Sequence, residues 1–199
     1  DISTWDVSTV TDMQQAFAGA ATFNQDLSSW NVSNVTNMYS MFQNAAAFNQ
    51  NIGGWNTILV QNMGQMFLGT NSFNQDISSW NVSSVTDMSV MFYNNDIFNN
   101  GGVALTWTTG TGTANVTNMN LMFGGTTAPP VFNQDISTFD TSSVTNMTEM
   151  FKNNVTFDQD ISTWDVSLIP SKPTDFDLNT NASWTTAEKP QWGTNGTIF

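Results

Sequence analysis

The chain of 199 residues carries 16 acidic residues against three Lys, a formal net charge of −13, and it has neither Cys nor His. This charge repels polyanions, which excludes nucleic acid and anionic membrane surfaces as partners. The missing Cys and His remove disulfides, thiol nucleophiles, zinc sites and the commonest general base. Hydrophobic residues make up 39% of the chain, enough for a large core, but no apolar run is long enough to predict membrane insertion.

A 25-residue repeat organises the sequence. Trp residues recur at this spacing and Phe139 takes one of their places: Trp5, Trp30, Trp55, Trp80, Trp107, Phe139 and Trp164. A Phe column keeps the same step: Phe23, Phe48, Phe73, Phe98, Phe132 and Phe157. Both columns stretch between residues 99 and 131, which indicates insertions there. One such unit cannot bury an aromatic face alone, so we expect the units to stack as rungs.

The second unit, FNQDLSSWNVSNVTNMYSMFQNAAA at 23–47, predicts the local structure of a rung. Its apolar residues follow helical spacing: Val35, Met38, Met41, Phe42 and Ala45. We expect a short helix there, with Asn34 or Thr36 as N-cap, and a short strand near 26–29. The predicted fold class is therefore an α/β repeat solenoid of about seven strand–turn–helix rungs. They start near residues 1, 23, 48, 73, 98, 132 and 157.

The solenoid is expected over 1–168, with insertions within 99–131, and an irregular C-terminal cap over 169–199. Pro170 and Pro173 interrupt the repeat at that boundary. All 11 Met fall on two columns of the repeat, which we interpret as core packing between rungs rather than a binding groove or soft-metal site. Residue 1 is Asp, and we expect a processed or excised piece of a longer protein whose uncapped N-terminal end self-associates.

The segment FNQDISSWNVSSVTDM at 73–88, with near-copies from Phe23 and Phe132, resembles the BspA-like branch of leucine-rich-repeat proteins. It is most similar to the 25-residue repeat of mycoplasma surface lipoproteins and of marine bacterial surface proteins. The resemblance spans residues 1 to about 168. It implies a right-handed stack of short strands and helices, an extracellular or cell-surface location, and an adhesive role without shared catalytic residues.

Polar columns run between the apolar ones. Stacked Asn and Gln are expected to bond each other and the turn backbone. An Asp column, broken by Asn51, has three open interpretations: backbone caps, a solvated face, or a cation or sugar site. The candidate ligand-binding residues are this column with its serines and three loop threonines: Asp26, Ser28, Asp76, Ser78, Asp135, Ser137, Asp160, Ser162, Thr109, Thr111 and Thr113. We predict no cofactor and no dedicated metal site, with weak calcium binding as the one alternative.

The expected function is non-catalytic binding, in adhesion, to a glycan or protein on a cell or matrix surface. The alternative is a structural spacer, fibre or surface-assembly component. A glycoside hydrolase with paired carboxylates is a third and weaker hypothesis, because most Asp residues belong to repeated columns whereas catalytic pairs are unique.

Overall fold

The computed structural model describes residues 1–107, 110, 112–126 and 129–193. Within these ranges the helices are two short 3-10 helices, Asn100–Gly102 and Thr186–Glu188, and extended pairing is limited to isolated bridges. The predicted α/β solenoid of strand–turn–helix rungs is therefore wrong. The 25-residue units do stack on one another, but each rung is built from consecutive turns.

The turns explain why helical spacing misled the prediction. In rung 2, the amides of Met41, Gln43 and Ala45 donate to carbonyls three residues earlier, at 3.1, 3.1 and 2.9 Å. Ser40 and Asn44 have φ of 54° and 56°, which an α-helix does not tolerate. Successive three-residue turns with left-handed corners thus place the same apolar side chains inward that a helix would.

The remaining amides of this segment join neighbouring rungs. Those of Met38, Ser40, Phe42 and Asn44 donate to carbonyls of rung 3 at 2.7 to 2.9 Å. Single parallel bridges mark the same edge through the stack: Asp12, Asn37, Asn62, Asp87, Asn118 and Asn146. The strand expected at 26–29 is also absent, because Trp30 N–H donates to Leu27 O and closes a turn there. Alternate amides therefore close turns or bond along the stack.

The core consists of columns of parallel rings. Phe42 stacks on Phe48 of the next unit with centroids 3.9 Å apart, and on Phe67 at 5.6 Å. Trp55 and Trp80 are parallel at 6.4 Å, and Phe139 fills the Trp position between Trp107 and Trp164. All 11 Met are buried beside these rings, which confirms the core interpretation of the Met columns.

From rung 2 onward, Trp side chains also tie their rung to the preceding one. The indole nitrogen of Trp80 donates to Ile52 O at 3.0 Å, and that of Trp55 donates to Leu27 O at 3.0 Å. The predicted amide column is confirmed as well, since Asn49 N–H donates to Asn24 Oδ1 at 2.9 Å and later rungs repeat the bond. These polar groups are thus satisfied by the neighbouring rung.

The rung pattern continues past residue 168. Amides of Glu149, Phe151 and Asn153 donate to carbonyls of residues 174, 176 and 178 at 3.0, 2.9 and 2.7 Å. The ring of Phe176 then meets Phe151 edge-on, at 81°, which ends the parallel stacking. The three Lys lie at this end and pair with acidic groups there, Lys152 with Glu149 at 2.8 Å among them. The described part of the chain contains no helix long and apolar enough to cross a bilayer.

Candidate functional site

The Asp column forms Asx-turns. The Oδ1 atoms of Asp26, Asp76, Asp135 and Asp160 accept the N–H of the Ser two residues later, at 2.8 to 2.9 Å. Asn51, which interrupts the column, makes the same bond to Gly53 N–H at 3.0 Å. In each of these four rungs one carboxylate oxygen of the Asp is therefore a backbone cap, which supports the capping interpretation of the column.

These bonds also act on the ionisation of the carboxylates. The backbone N–H and then the hydroxyl of Ser28 hold the pKa of Asp26 below its usual value. For Asp160, the hydroxyl and then the N–H of Ser162 lower the pKa in the same way. Donors favour the charged form of a carboxylate, and for this reason the pKa of each group lies below that of an ordinary Asp.

Two rungs bring part of the predicted site together. Asp135, Ser137, Gln159, Asp160 and Thr163 line an open surface depression of about 370 Å³ between rungs 6 and 7. Three of these five were predicted from the sequence. The backbone amide of Ser162 donates to Asp160 Oδ1 and closes the turn there, but Ser162 does not line the depression. Gln159 was not proposed as a ligand-binding residue because the Gln column was interpreted as structural, and Thr163 belongs to none of the polar columns that were singled out.

The other predicted residues lie elsewhere. Asp26 with Ser28 is on rung 2 and Asp76 with Ser78 on rung 4, with the rung of Asn51 between them. Ser78 also donates its hydroxyl to Asp76 Oδ1 at 2.6 Å. These pairs are turn caps on separate rungs, and the structure does not bring them to the depression.

Of the three predicted loop threonines, the structure describes one. Thr109 and Thr111 lie outside the described residues. Thr113 is buried, and its hydroxyl donates to Asp140 O of the next rung at 3.0 Å. Thr57 and Thr141 make the equivalent bond in other rungs. The hydroxyl of Thr113 therefore serves rung stacking and is not presented to solvent.

No metal cage is preformed in the described ranges. Within 1–107, 110, 112–126 and 129–193, no three acidic side chains form a group able to hold an ion. Calcium takes about six to eight oxygen ligands, and the Asp column offers one capping carboxylate per rung. Weak calcium binding stays a prediction without a defined site.

A buried polar defect in rung 4 was not foreseen. Asn95 Oδ1 is buried without a hydrogen-bond partner, as is Asp96 Oδ1, and burial raises the pKa of Asp96. In rung 6 the equivalent Asn154 accepts the Thr156 hydroxyl at 3.0 Å. Rung 4 has Ile97 where rung 6 has that Thr. The break in the column was visible in the sequence, but its consequence required the turn geometry.

The comparisons with known proteins place the chain in a family. Searches of curated proteins and of solved structures found no match. One family model, described as a Mycoplasma protein of unknown function, DUF285, matches residues 1–107 and again residues 103–188. The two matches divide the chain within rung 5, as expected for a repeated unit, and together they span most of the sequence. The chain therefore belongs to the DUF285 family.

Proposed function

We propose that the chain is a surface-displayed repeat domain that binds a neutral glycan without catalysis, with the depression between rungs 6 and 7 as a contact site. Membership of a mycoplasma-type repeat family supports display at a surface, as does the resemblance of 73–88 to BspA-like surface proteins. The depression is the observation that carries the binding proposal, because there two adjacent rungs bring the polar side chains of five residues to one surface.

The lining groups suit a polyol. Asp135 and Asp160 line the depression and each commit Oδ1 to a turn, and the second oxygen of each carboxylate can accept from ligand hydroxyls. Ser137 and Thr163 add hydroxyl groups to the lining, and a hydroxyl can donate as well as accept. Gln159 is oriented by its bond to Asn133 Oδ1 at 3.0 Å. Such fixed donors and acceptors match sugar hydroxyls, which do both.

Charge narrows the ligand class. Two carboxylates, Asp135 and Asp160, line the depression, and the chain as a whole has a net charge of −13. Sulfated or uronic glycans would be repelled by this field, which leaves neutral sugars. Catalysis is disfavoured at the same site, because a glycosidase acid needs a raised pKa whereas that of Asp160 is lowered.

The proposal is tested with the pair of charge-neutralising substitutions Asp135→Asn and Asp160→Asn. Asn51 shows that Asn keeps the turn bond, so the fold is retained while the charged acceptors are lost. We expect the chain to bind neutral glycans on an array in preference to anionic ones. The double variant should lose affinity by about tenfold or more, as removal of charge-assisted bonds does.

Asp26→Asn is the matched control, since it removes one charge from the same column at a rung outside the depression. It should bind as the unsubstituted chain does. Equal binding by the double variant, or no binding to any neutral glycan, would reject the proposal. The second candidate is a structural spacer, favoured by the uninterrupted rung-to-rung bonds, and it predicts that no ligand is retained.

A further inference from the structure

Three consecutive rungs expose large aliphatic side chains at one corner of the stack. Ile97 of rung 4 is 43% exposed, Val131 of rung 5 is 39% exposed and Val155 of rung 6 is 47% exposed. In the first three rungs the same two positions carry small or polar residues: Ala21, Thr22, Ala46, Ala47, Asn71 and Ser72. The repeat itself therefore does not require an apolar surface at this corner.

The Phe column fixes how these side chains lie. Phe98 stacks on Phe132 with centroids 5.9 Å apart, and Phe132 stacks on Phe157 at 6.2 Å. The corner residues are the two that precede each of these rings in the sequence. Those of rungs 4, 5 and 6 therefore lie in register and form one continuous surface.

A carboxylate with an unpaired oxygen lies in the same corner. Among the described residues, Asp96 Oδ1 is buried without a hydrogen-bond partner, and so is Oδ1 of the neighbouring Asn95, a residue that is 1% exposed. Burial also raises the pKa of Asp96. A buried acceptor without a donor costs free energy, so a donor that reaches this corner from outside gains more than it would at an exposed carboxylate.

The cations of the chain itself are engaged elsewhere. The sequence has three basic side chains, and each forms an ion pair near the C-terminal end of the stack, Lys152 with Glu149 and both Lys172 and Lys189 with Asp177. A partner that brings a positively charged donor together with aliphatic surface therefore complements both features of the corner.

We propose that the corner formed by Asp96, Ile97, Val131 and Val155 is a docking site for a basic, aliphatic segment of a partner protein, anchored by a Lys side chain. The methylenes of the Lys pack on the exposed aliphatic groups, while its ammonium donates to the Asp96 carboxylate. The depression between rungs 6 and 7 is lined by residues that follow the Phe column instead of preceding it. Docking at the corner is thus independent of glycan binding.

The experiment titrates the full chain at neutral pH with the peptide Ac-Leu-Lys-Leu-NH2 and with its uncharged counterpart Ac-Leu-Gln-Leu-NH2. The methyl NMR signals of Ile97, Val131 and Val155 report binding at the corner. The Lys peptide should shift these signals and bind about fivefold or more tightly than the Gln peptide, because a hydrogen bond between charged groups contributes more than a neutral one.

Substitutions copied from other rungs separate the two contributions. Asp96→Asn places the residue that rung 3 has at Asn71 and should abolish the preference for the Lys peptide. Val131→Thr places the residue that rung 6 has at Thr156, and it should weaken both peptides while the preference remains. Asp26→Asn removes one charge from another part of the chain and should change neither affinity.

Three results would overturn the proposal. Equal affinities of the unsubstituted chain for the two peptides would show that the carboxylate contributes nothing. A preference for the Lys peptide that survives Asp96→Asn would assign it to the net charge of −13. Absence of methyl shifts at the corner at the solubility limit of the Lys peptide would show that the segment does not dock there.

Discussion

Replacing Trp80 with Ala tests the stacked-ring core directly. Trp80 is 0% exposed, lies parallel to Trp55 at 6.4 Å, and donates its indole N–H to Ile52 O at 3.0 Å. Loss of a buried Trp side chain costs about 3–5 kcal/mol, and the abandoned Ile52 carbonyl adds about 1 kcal/mol or more. We expect a total loss of about 4–6 kcal/mol in the free energy of unfolding.

Urea unfolding followed by tryptophan fluorescence measures this loss. Trp80→Phe is the graded variant, since Phe139 already occupies the same column between two Trp rings, and it should lose about 1–2 kcal/mol. Trp5→Ala is the matched control at an exposed site, and about 0.5 kcal/mol is expected. The reasoning is refuted if Trp80→Ala costs no more than Trp5→Ala.

Three further substitutions or conditions test local features. Val90 has φ of 61°, a conformation that costs a β-branched residue about 1–2 kcal/mol, so Val90→Gly should raise the Tm. Ile97→Thr should supply the missing donor to Asn95 Oδ1 and stabilise by about 1 kcal/mol, measured by urea unfolding. Because the pKa of Asp26 is lowered by folding, its ionised form stabilises the fold above the ordinary Asp pKa. That contribution is lost as pH falls through the folded-state pKa, so the Tm should drop below about pH 4, and Asp26→Asn should flatten the drop.

The controls use equivalent positions in other rungs. Gly19 also has positive φ and no atom near an added Cβ, so Gly19→Ala should destabilise where Val90→Gly stabilises. Thr156→Ile should reproduce in rung 6 the defect of rung 4. A Tm that is equal for Val90→Gly and the unsubstituted chain would show that the left-handed corner carries no strain. A pH profile unchanged by Asp26→Asn would remove this carboxylate from the acid response.

The sequence predicts which residues are buried better than the backbone that buries them. Trp, Phe and Met columns follow from spacing alone, because any regular stack places equivalent residues above one another. The helix prediction was wrong because three-residue turns reproduce helical spacing. One signal was available: the corner column alternates Gly and Asn, the residues that favour positive φ, as at Gly19, Asn44, Gly69 and Asn94. The other corner, occupied by Ser40 and Val90, carries no such signal.

The candidate site was predicted only in part for a related reason. Asp followed two residues later by Ser indicates an Asx-turn, and that local chemistry is encoded in the sequence. Which turns face a depression depends on how rungs 6 and 7 lie together, and this is a tertiary property. Thr113 likewise could not be placed from the sequence. The Gly/Thr-rich segment around it suggests an exposed loop, whereas its hydroxyl donates to Asp140 O inside the stack.

The direction of the inter-rung bonds has a mechanical consequence. Amides such as Met38 N–H and Phe42 N–H point to the next rung, so tension along the stack pulls on every interface equally and the interfaces can separate one after another. Each released rung of 25 residues can extend to about 85 Å. A domain pulled from its ends in a force spectrometer should therefore lengthen in repeated steps of roughly this size, dissipating work while the remaining rungs stay folded.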